Sequence, residues 1–118
     1  MAEAGLFTGW GPPVRGRELK GLDVFNEALA FWGRQQESGA VESFEVVLVG
    51  PHGGDLAGFI LARGSQDQIA AIRASEEFQG LNIRANQVVE RFGVVDAILQ
   101  DGLGDAITRY REAVTELS

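Results

Sequence analysis

The chain has 118 residues, 45% of them hydrophobic, and a formal net charge of -7. That length suits a single domain over residues 1–118 built on one core, and the apolar fraction argues against disorder. Acidic residues outnumber basic ones 17 to 10 and Cys is 0, which argues against nucleic acid and anionic membrane as partners and excludes disulfide, thiolate and Cys-based metal chemistry.

In chain order, GLFTGWG at residues 5–11 reads as a first strand. Leu6, Thr8 and Trp10 share one side, Phe7 and Gly9 the other, and Pro12-Pro13 ends the ladder because neither residue has a backbone donor. From Arg17 to Gln36 the period becomes helical. Leu22, Phe25, Leu29 and Trp32 form a stripe that Val24, Ala28 and Phe31 widen, and Gly39 is placed to close it as a left-handed cap. VESFEVVLV at 41–49 and DLAGFILAR at 55–63 are strands rich in β-branched and aromatic residues. GPHGG between them predicts a β-hairpin turn.

Ser65 and Gln68 have the spacing of a capping box, and the helix they open carries Ile69 and Ile72 inward. SEEF at 75–78 and GLNIRA at 80–85 read as a broken helix or loop. QVVERFGVV at 87–95 reads as a fourth strand carrying Phe92. Asp101 or Asp105 is placed to cap a last helix, whose stripe is Leu103, Ile107, Tyr110, Val114 and Leu117.

The order is β-α-β-β-α-β-α. Its first six elements match the ferredoxin-like α+β motif, an antiparallel four-stranded sheet with helices on one face; the last helix is an addition. The strands place large apolar residues on both faces, as in Val46-Val47 and Val94-Val95. An uncovered apolar sheet face wants a partner, and the economical one is a second copy, giving a homodimer with sheets face to face.

Candidate chemistry is sparse. His52, the only histidine, is a general base or a turn residue, and a hairpin tip offers neither orientation nor exclusion of water. One histidine and no cysteine make a metal unexpected, and no cofactor is implied. Glu76-Glu77 are proton-transfer groups only if buried. Arg15 and Arg17 stand before a helix N-terminus where a phosphate could sit, but the spacing matches no nucleotide motif.

Aromatics and their neighbours are more informative. Trp10, Phe31 and Trp32 are candidates to line a ligand pocket, with Glu76, Asn82 and Arg84 as its polar contacts. The start, MAEAGLF, lacks the basic and apolar regions of a secretory signal, and no apolar run is long enough for a membrane span. A cytoplasmic location is therefore expected.

The element order resembles the dimeric α+β barrel superfamily over almost the whole chain. Gly39, Gly50-Pro51, Gly53-Gly54, Ser65, Glu76-Glu77-Phe78 and Gly80 are similar to the punctuation of the YCII-related proteins. That resemblance implies an acid–base pair of a first-helix histidine and an aspartate. Here the first helix has no histidine and Glu76 stands at the aspartate position, so the pair is missing. Three functions remain: a small-molecule-binding homodimer with an apolar helix–sheet pocket for a small apolar or aromatic ligand; a cofactor-independent monooxygenase or isomerase; and a structural or regulatory interaction domain that uses the last helix or the hairpin.

Overall fold

The computed structural model describes residues 2–118. Its elements are β1 (Ala4–Trp10), α1 (Glu18–Ser38), β2 (Ser43–Leu48), β3 (Gly58–Gly64), α2 (Gln66–Ala74), α3 (Glu76–Val88), β4 (Gly93–Ile98) and α4 (Gln100–Glu116). The four strands form one sheet in the order β2-β3-β1-β4, with every neighbouring pair antiparallel. This is the ferredoxin-like α+β arrangement expected from the element order.

Local signals explain most boundaries. Gly39 ends α1 at φ 82°, and its N–H bonds back to the last turn. Ser65 and Gln68 form the full capping box at the start of α2. The segment expected as a broken helix or loop is instead a 13-residue helix, α3. Ser75 makes the break between α2 and α3, at φ -72° and ψ 140°. Its hydroxyl donates to the Ile72 carbonyl at 2.9 Å and accepts from the Phe78 N–H at 3.2 Å. One side chain thus satisfies orphan groups of both helices.

The fourth strand starts later than its β-branched composition suggested. Gln87 and Val88 finish α3, and β4 begins only at Gly93, opposite Gly9. Val88 is 6% exposed and packs beneath α1, where a Cβ on Gly21 would lie 4.0 Å from Val88 Cβ. Tertiary packing overrides strand propensity there. Arg91, at φ 53°, turns the chain, so Phe92 sits on this connection and not on the strand.

The β2–β3 connection is also longer than a tight hairpin. β3 begins at Gly58 and not at Asp55, and Asp55 pairs with Arg91 at 3.2 Å. His52 is exposed, yet it is not loose. Its Nδ1 accepts from the Gly54 N–H at 3.2 Å, and its Nε2 lies 2.9 Å from the Leu56 carbonyl. The neutral ring protonated on Nε2 satisfies both contacts. A Cβ on Gly54 would lie 2.6 Å from the ring, so the bare glycine lets the clip close.

The core lies between the sheet and α1, α2 and α3. Leu6, Ile60 and Ala62 face Phe31, Trp32, Ile69, Ile72, Phe78 and Leu81, all at most 4% exposed. Along β1, β3 and β4 the alternate positions carry Phe7, Phe59, Leu61 and Val95. Phe7 and Phe59 stack at 5.0 Å, while Val95 is 55% exposed.

The last helix differs from its expected capping. Its N-cap is Leu99, without a side-chain bond, and Asp101 lies in the first turn; neither Asp101 nor Asp105 is the cap. α4 is anchored at its start, where the Leu99 N–H donates to the Glu3 carbonyl at 3.0 Å. It has no buried residue, and its stripe from Leu103 to Leu117 is exposed. Among the described residues, no helix is long and apolar enough to cross a membrane.

Both His52 bonds are exposed, where each contributes about 0.5 kcal/mol or less, the low end for a net hydrogen bond. His52→Ala is therefore expected to cost less than about 1 kcal/mol in denaturant unfolding and to speed amide exchange at Gly54. A loss above about 2 kcal/mol would contradict the assignment of this ring as a local clip.

Candidate functional site

A cavity of about 400 Å³ opens between the sheet, the N-terminal half of α1 and one face of α3. Its origin is local. Trp10, at the end of β1, is opposite Gly58 in β3. A Cβ on Gly58 would lie 2.8 Å from Trp10 Cζ2 and 2.9 Å from the Val47 carbonyl. Only a glycine lets the indole lie across this strand. The ring then meets Phe25 of α1 edge-on at 5.9 Å.

Further in, Trp32 is held by Phe31 at 5.1 Å, Phe78 at 5.7 Å and Phe44 at 6.4 Å. α3 contributes Leu81, Asn82, Ala85 and Val88 to the wall, a spacing that keeps them on one helical face. Gly21, Ala28 and Ala85 are small lining residues, and their missing side-chain volume leaves the space unfilled. Leu22, expected within the buried stripe, lines the cavity yet is 58% exposed. With Leu48, 69% exposed, it marks the rim.

One end is closed by main chain. The Gly11 N–H donates to Glu90 O at 2.7 Å, Val14 N–H to Val88 O at 2.8 Å, and Glu90 N–H to Pro12 O at 2.9 Å. A Cβ on Gly11 would lie 2.8 Å from Glu90 O. The Gly-Pro-Pro run thus ends β1 and then serves as a strap to the segment after α3.

Polar side chains on the lining are few, Thr8, Glu18 and Asn82 with the indole N–H groups of Trp10 and Trp32, and among the described residues no Lys, Arg or His lines it. Glu18 is exposed and accepts the Gly16 N–H at 3.0 Å. That bond and the carboxylate occupy the α1 N-terminus, the place a phosphate would take, and Arg17 turns to the Gln87 carbonyl at 2.9 Å. Thr8 is 7% exposed, and its hydroxyl has no hydrogen-bond partner among the described residues.

Ion pairs hold α1 and α3 together outside the cavity. Arg34 pairs with Glu77. Arg84 pairs with Glu27, its Nε lying 3.1 Å from Glu27 Oε1. The Glu27 hydrogen bond, helped by the Glu27 and Glu77 charges, raises the Arg84 pKa above its ordinary value. These pairs are solvent-exposed and add little stability individually. Among the described residues, no three His, Cys, Asp or Glu groups are placed to hold a metal.

Of the residues singled out in the sequence, Trp10, Trp32 and Asn82 meet at the cavity. Phe31 lies a layer behind, 2% exposed and stacked on Phe78 at 5.7 Å. Glu76 is exposed in the first turn of α3, and Arg84 is engaged with Glu27; neither lines the cavity. Thr8, Phe25, Leu81 and Ala85 join Trp10, Trp32 and Asn82 on the wall without standing among the candidates that the sequence offers. Thr8 carried a legible signal, as the polar residue between Leu6 and Trp10 on the inward side of β1.

No protein-family model matches the chain, and no curated protein is similar to it in sequence. Solved structures are similar in fold. A dimeric ferredoxin-like protein of unknown function from Thermobifida fusca aligns with a TM-score of 0.62 at 9% identity, over 84% of this chain and 93% of the other. A dimeric ferredoxin-like protein of unknown function from Bacteroides fragilis aligns with 0.59 at 12%, over 81% and 96%. SnoaB, a cofactor-independent oxygenase from Streptomyces nogalater, aligns with 0.56 at 15%, over 84% and 95%. At these identities the likeness establishes the ferredoxin-like α+β fold.

Proposed function

We propose that this chain is a small-molecule-binding protein that admits an apolar or aromatic molecule between α1, α3 and the sheet, and that it works as a homodimer. The observation that carries the reading is the cavity of about 400 Å³ walled by Trp10, Phe25, Trp32 and Leu81. This volume falls in the range of small-molecule pockets, roughly 300–1,000 Å³, and the lining has their usual make-up of apolar walls with few polar groups. An empty apolar cavity forfeits packing on every side, which a bound molecule restores.

The dimer reading rests on the sheet face opposite the helices. Phe7, Phe59, Leu61 and Val95 share it. The Leu61 and Leu99 Cδ1 atoms each lie 3.2 Å from where a Cβ on Gly5 would be. Apolar surface therefore continues from the sheet to the start of α4, whose exposed stripe follows. A second copy covers such a self-complementary face by two-fold symmetry. The structural neighbours described as dimeric support this.

Nucleic acid forms no part of the reading, since the net charge is -7 and phosphate binding draws on an excess of Lys and Arg. A cytoplasmic location agrees with the absence of cysteine. The YCII-related likeness adds no acid–base pair, because Glu76 is outside the cavity.

A cofactor-independent oxygenase or isomerase is the second reading. The likeness to SnoaB favours it, with Asn82 as a polar group beside a pocket that would act by positioning. Oxygen uptake on adding a bound phenol would separate this reading from simple binding. A structural or regulatory domain would use the α4 stripe but leaves the cavity without a role.

Naphthalene is expected to quench tryptophan fluorescence saturably, and Ala85→Phe, which fills the space, to weaken binding at least tenfold while the chain stays folded. Absence of saturable binding to the wild type would overturn the ligand reading. Sedimentation is expected to show a dimer at micromolar concentration that Leu61→Glu dissociates, because a charge placed in a buried apolar interface is costly. A wild-type monomer would overturn the dimer reading.

A further inference from the structure

We propose that the Thr8 hydroxyl is the polar anchor of the cavity and selects a neutral ligand with a hydroxyl or carbonyl oxygen at its buried end. The inference rests on the ligand-binding reading above and specifies the chemistry of the molecule bound.

Thr8 is 7% exposed. Its Oγ1 is the buried side-chain polar atom without a hydrogen-bond partner among the described residues. The neighbouring strands offer nothing to satisfy it. Its register partners are Ile60 on β3 and Val94 on β4, both aliphatic, and Leu6 and Trp10 flank it on the same face. Valine has nearly the same shape, suits a strand equally well and leaves no orphan group. A buried hydroxyl without a partner opposes folding, and Thr8 is a residue of the cavity wall, so a change of its χ1 rotamer is the step that would turn the hydroxyl to a ligand. A hydroxyl both donates and accepts, so it suits a ligand hydroxyl or carbonyl.

The remaining lining decides the ligand's charge. No cationic side chain lines the cavity, and Glu18 lies at the exposed end with its carboxylate on the Gly16 N–H. A carboxylate ligand would lose its hydration without finding a counter-charge. Neutral molecules do not bear that cost. Asn82, half-buried on the α3 side, offers a second polar contact nearer the opening.

The test compares naphthalene, 2-naphthol and 2-naphthoate on the full chain and on Thr8→Val, by tryptophan fluorescence quenching. The wild type is expected to prefer 2-naphthol over naphthalene by about tenfold, the size of one net hydrogen bond, and to bind 2-naphthoate at least tenfold more weakly than 2-naphthol. Thr8→Val is expected to erase the preference for 2-naphthol, keep its affinity for naphthalene and melt no lower than the wild type. Thr8→Ser, which keeps the hydroxyl, should retain the preference, and it provides the comparison if the valine variant does not fold.

A preference for 2-naphthol that survives in Thr8→Val would overturn the inference and leave the ligand reading standing. So would 2-naphthoate binding as tightly as 2-naphthol. Failure of all three probes to bind the wild type would overturn both.

Discussion

The geometry of the molecule depends on one aromatic wedge. Trp32 is 1% exposed and held among Phe31, Phe44 and Phe78. These rings come from α1, β2 and α3, so a single cluster ties both helices to the sheet. Aromatic groups of this size fix the separation of the layers they join, because packed interiors deform little. Nearer the start of α1 the inward positions mix Gly21 and Ala28 with Leu22, Val24 and Phe25, and Ala85 and Val88 stand across from them on α3. The layers stay apart there and nothing fills the gap. The cavity is thus the consequence of rings that hold the layers apart at one end of the helix pair and of Gly21, Ala28 and Ala85, which leave space at the other.

The same sheet has two apolar faces with different histories in the sequence. The inward face is covered by chain-local means: α1 and α3 are drawn onto it by Trp32, Phe78 and Leu81, and Ser75 sets where α3 starts. The outward face has Phe7 stacked on Phe59, with Leu61 and Val95 beside them. Gly5 and Gly9 let neighbours close over them, since Phe7 Cε1 lies 2.7 Å from where a Cβ on Gly9 would be, whereas nothing lies within 4 Å of that position on Gly93. An antiparallel sheet tolerates water on one side when that side is polar; this one is mostly apolar, with the Arg63–Glu45 pair at 2.9 Å towards its β2 edge. Pairing with a second copy would bury this face without disturbing the cavity, which opens on the other side.

How far the sequence spoke for itself can be seen residue by residue. Gly39, the Ser65–Gln68 capping box and the alternation in β1 and β2 are local signals with local causes, and they gave the right elements. The Val88-Val89 pair misled because β-branched residues favour strands on average, whereas here Val88 is claimed by a gap beside Gly21 that exists only after α1 has docked. Asp101 and Asp105 looked like caps, but the start of α4 is fixed by the Leu99 N–H reaching Glu3, a contact distant in sequence. In the site, Trp10 and Trp32 stood out because large aromatics on inward positions are few. Arg84 follows Asn82 by two positions, about 200° round a helix, so no pattern of nearby residues could place both in the cavity. The alternation in β1 puts Thr8 inward between Leu6 and Trp10, but the lack of a partner for its hydroxyl among the described residues shows only in the structure.

The most direct test of a ligand site on the inward side is a set of intermolecular nuclear Overhauser effects between 2-naphthol and the methyl groups of the chain. Contacts are expected from the ring protons to Val24, Leu81, Val88 and the Thr8 methyl, residues of the cavity wall, and none to Leu61 or Val95. Contacts confined to Leu61, Val95 and the α4 stripe would contradict the inward site, because they would place the molecule on the outward face and leave the cavity empty.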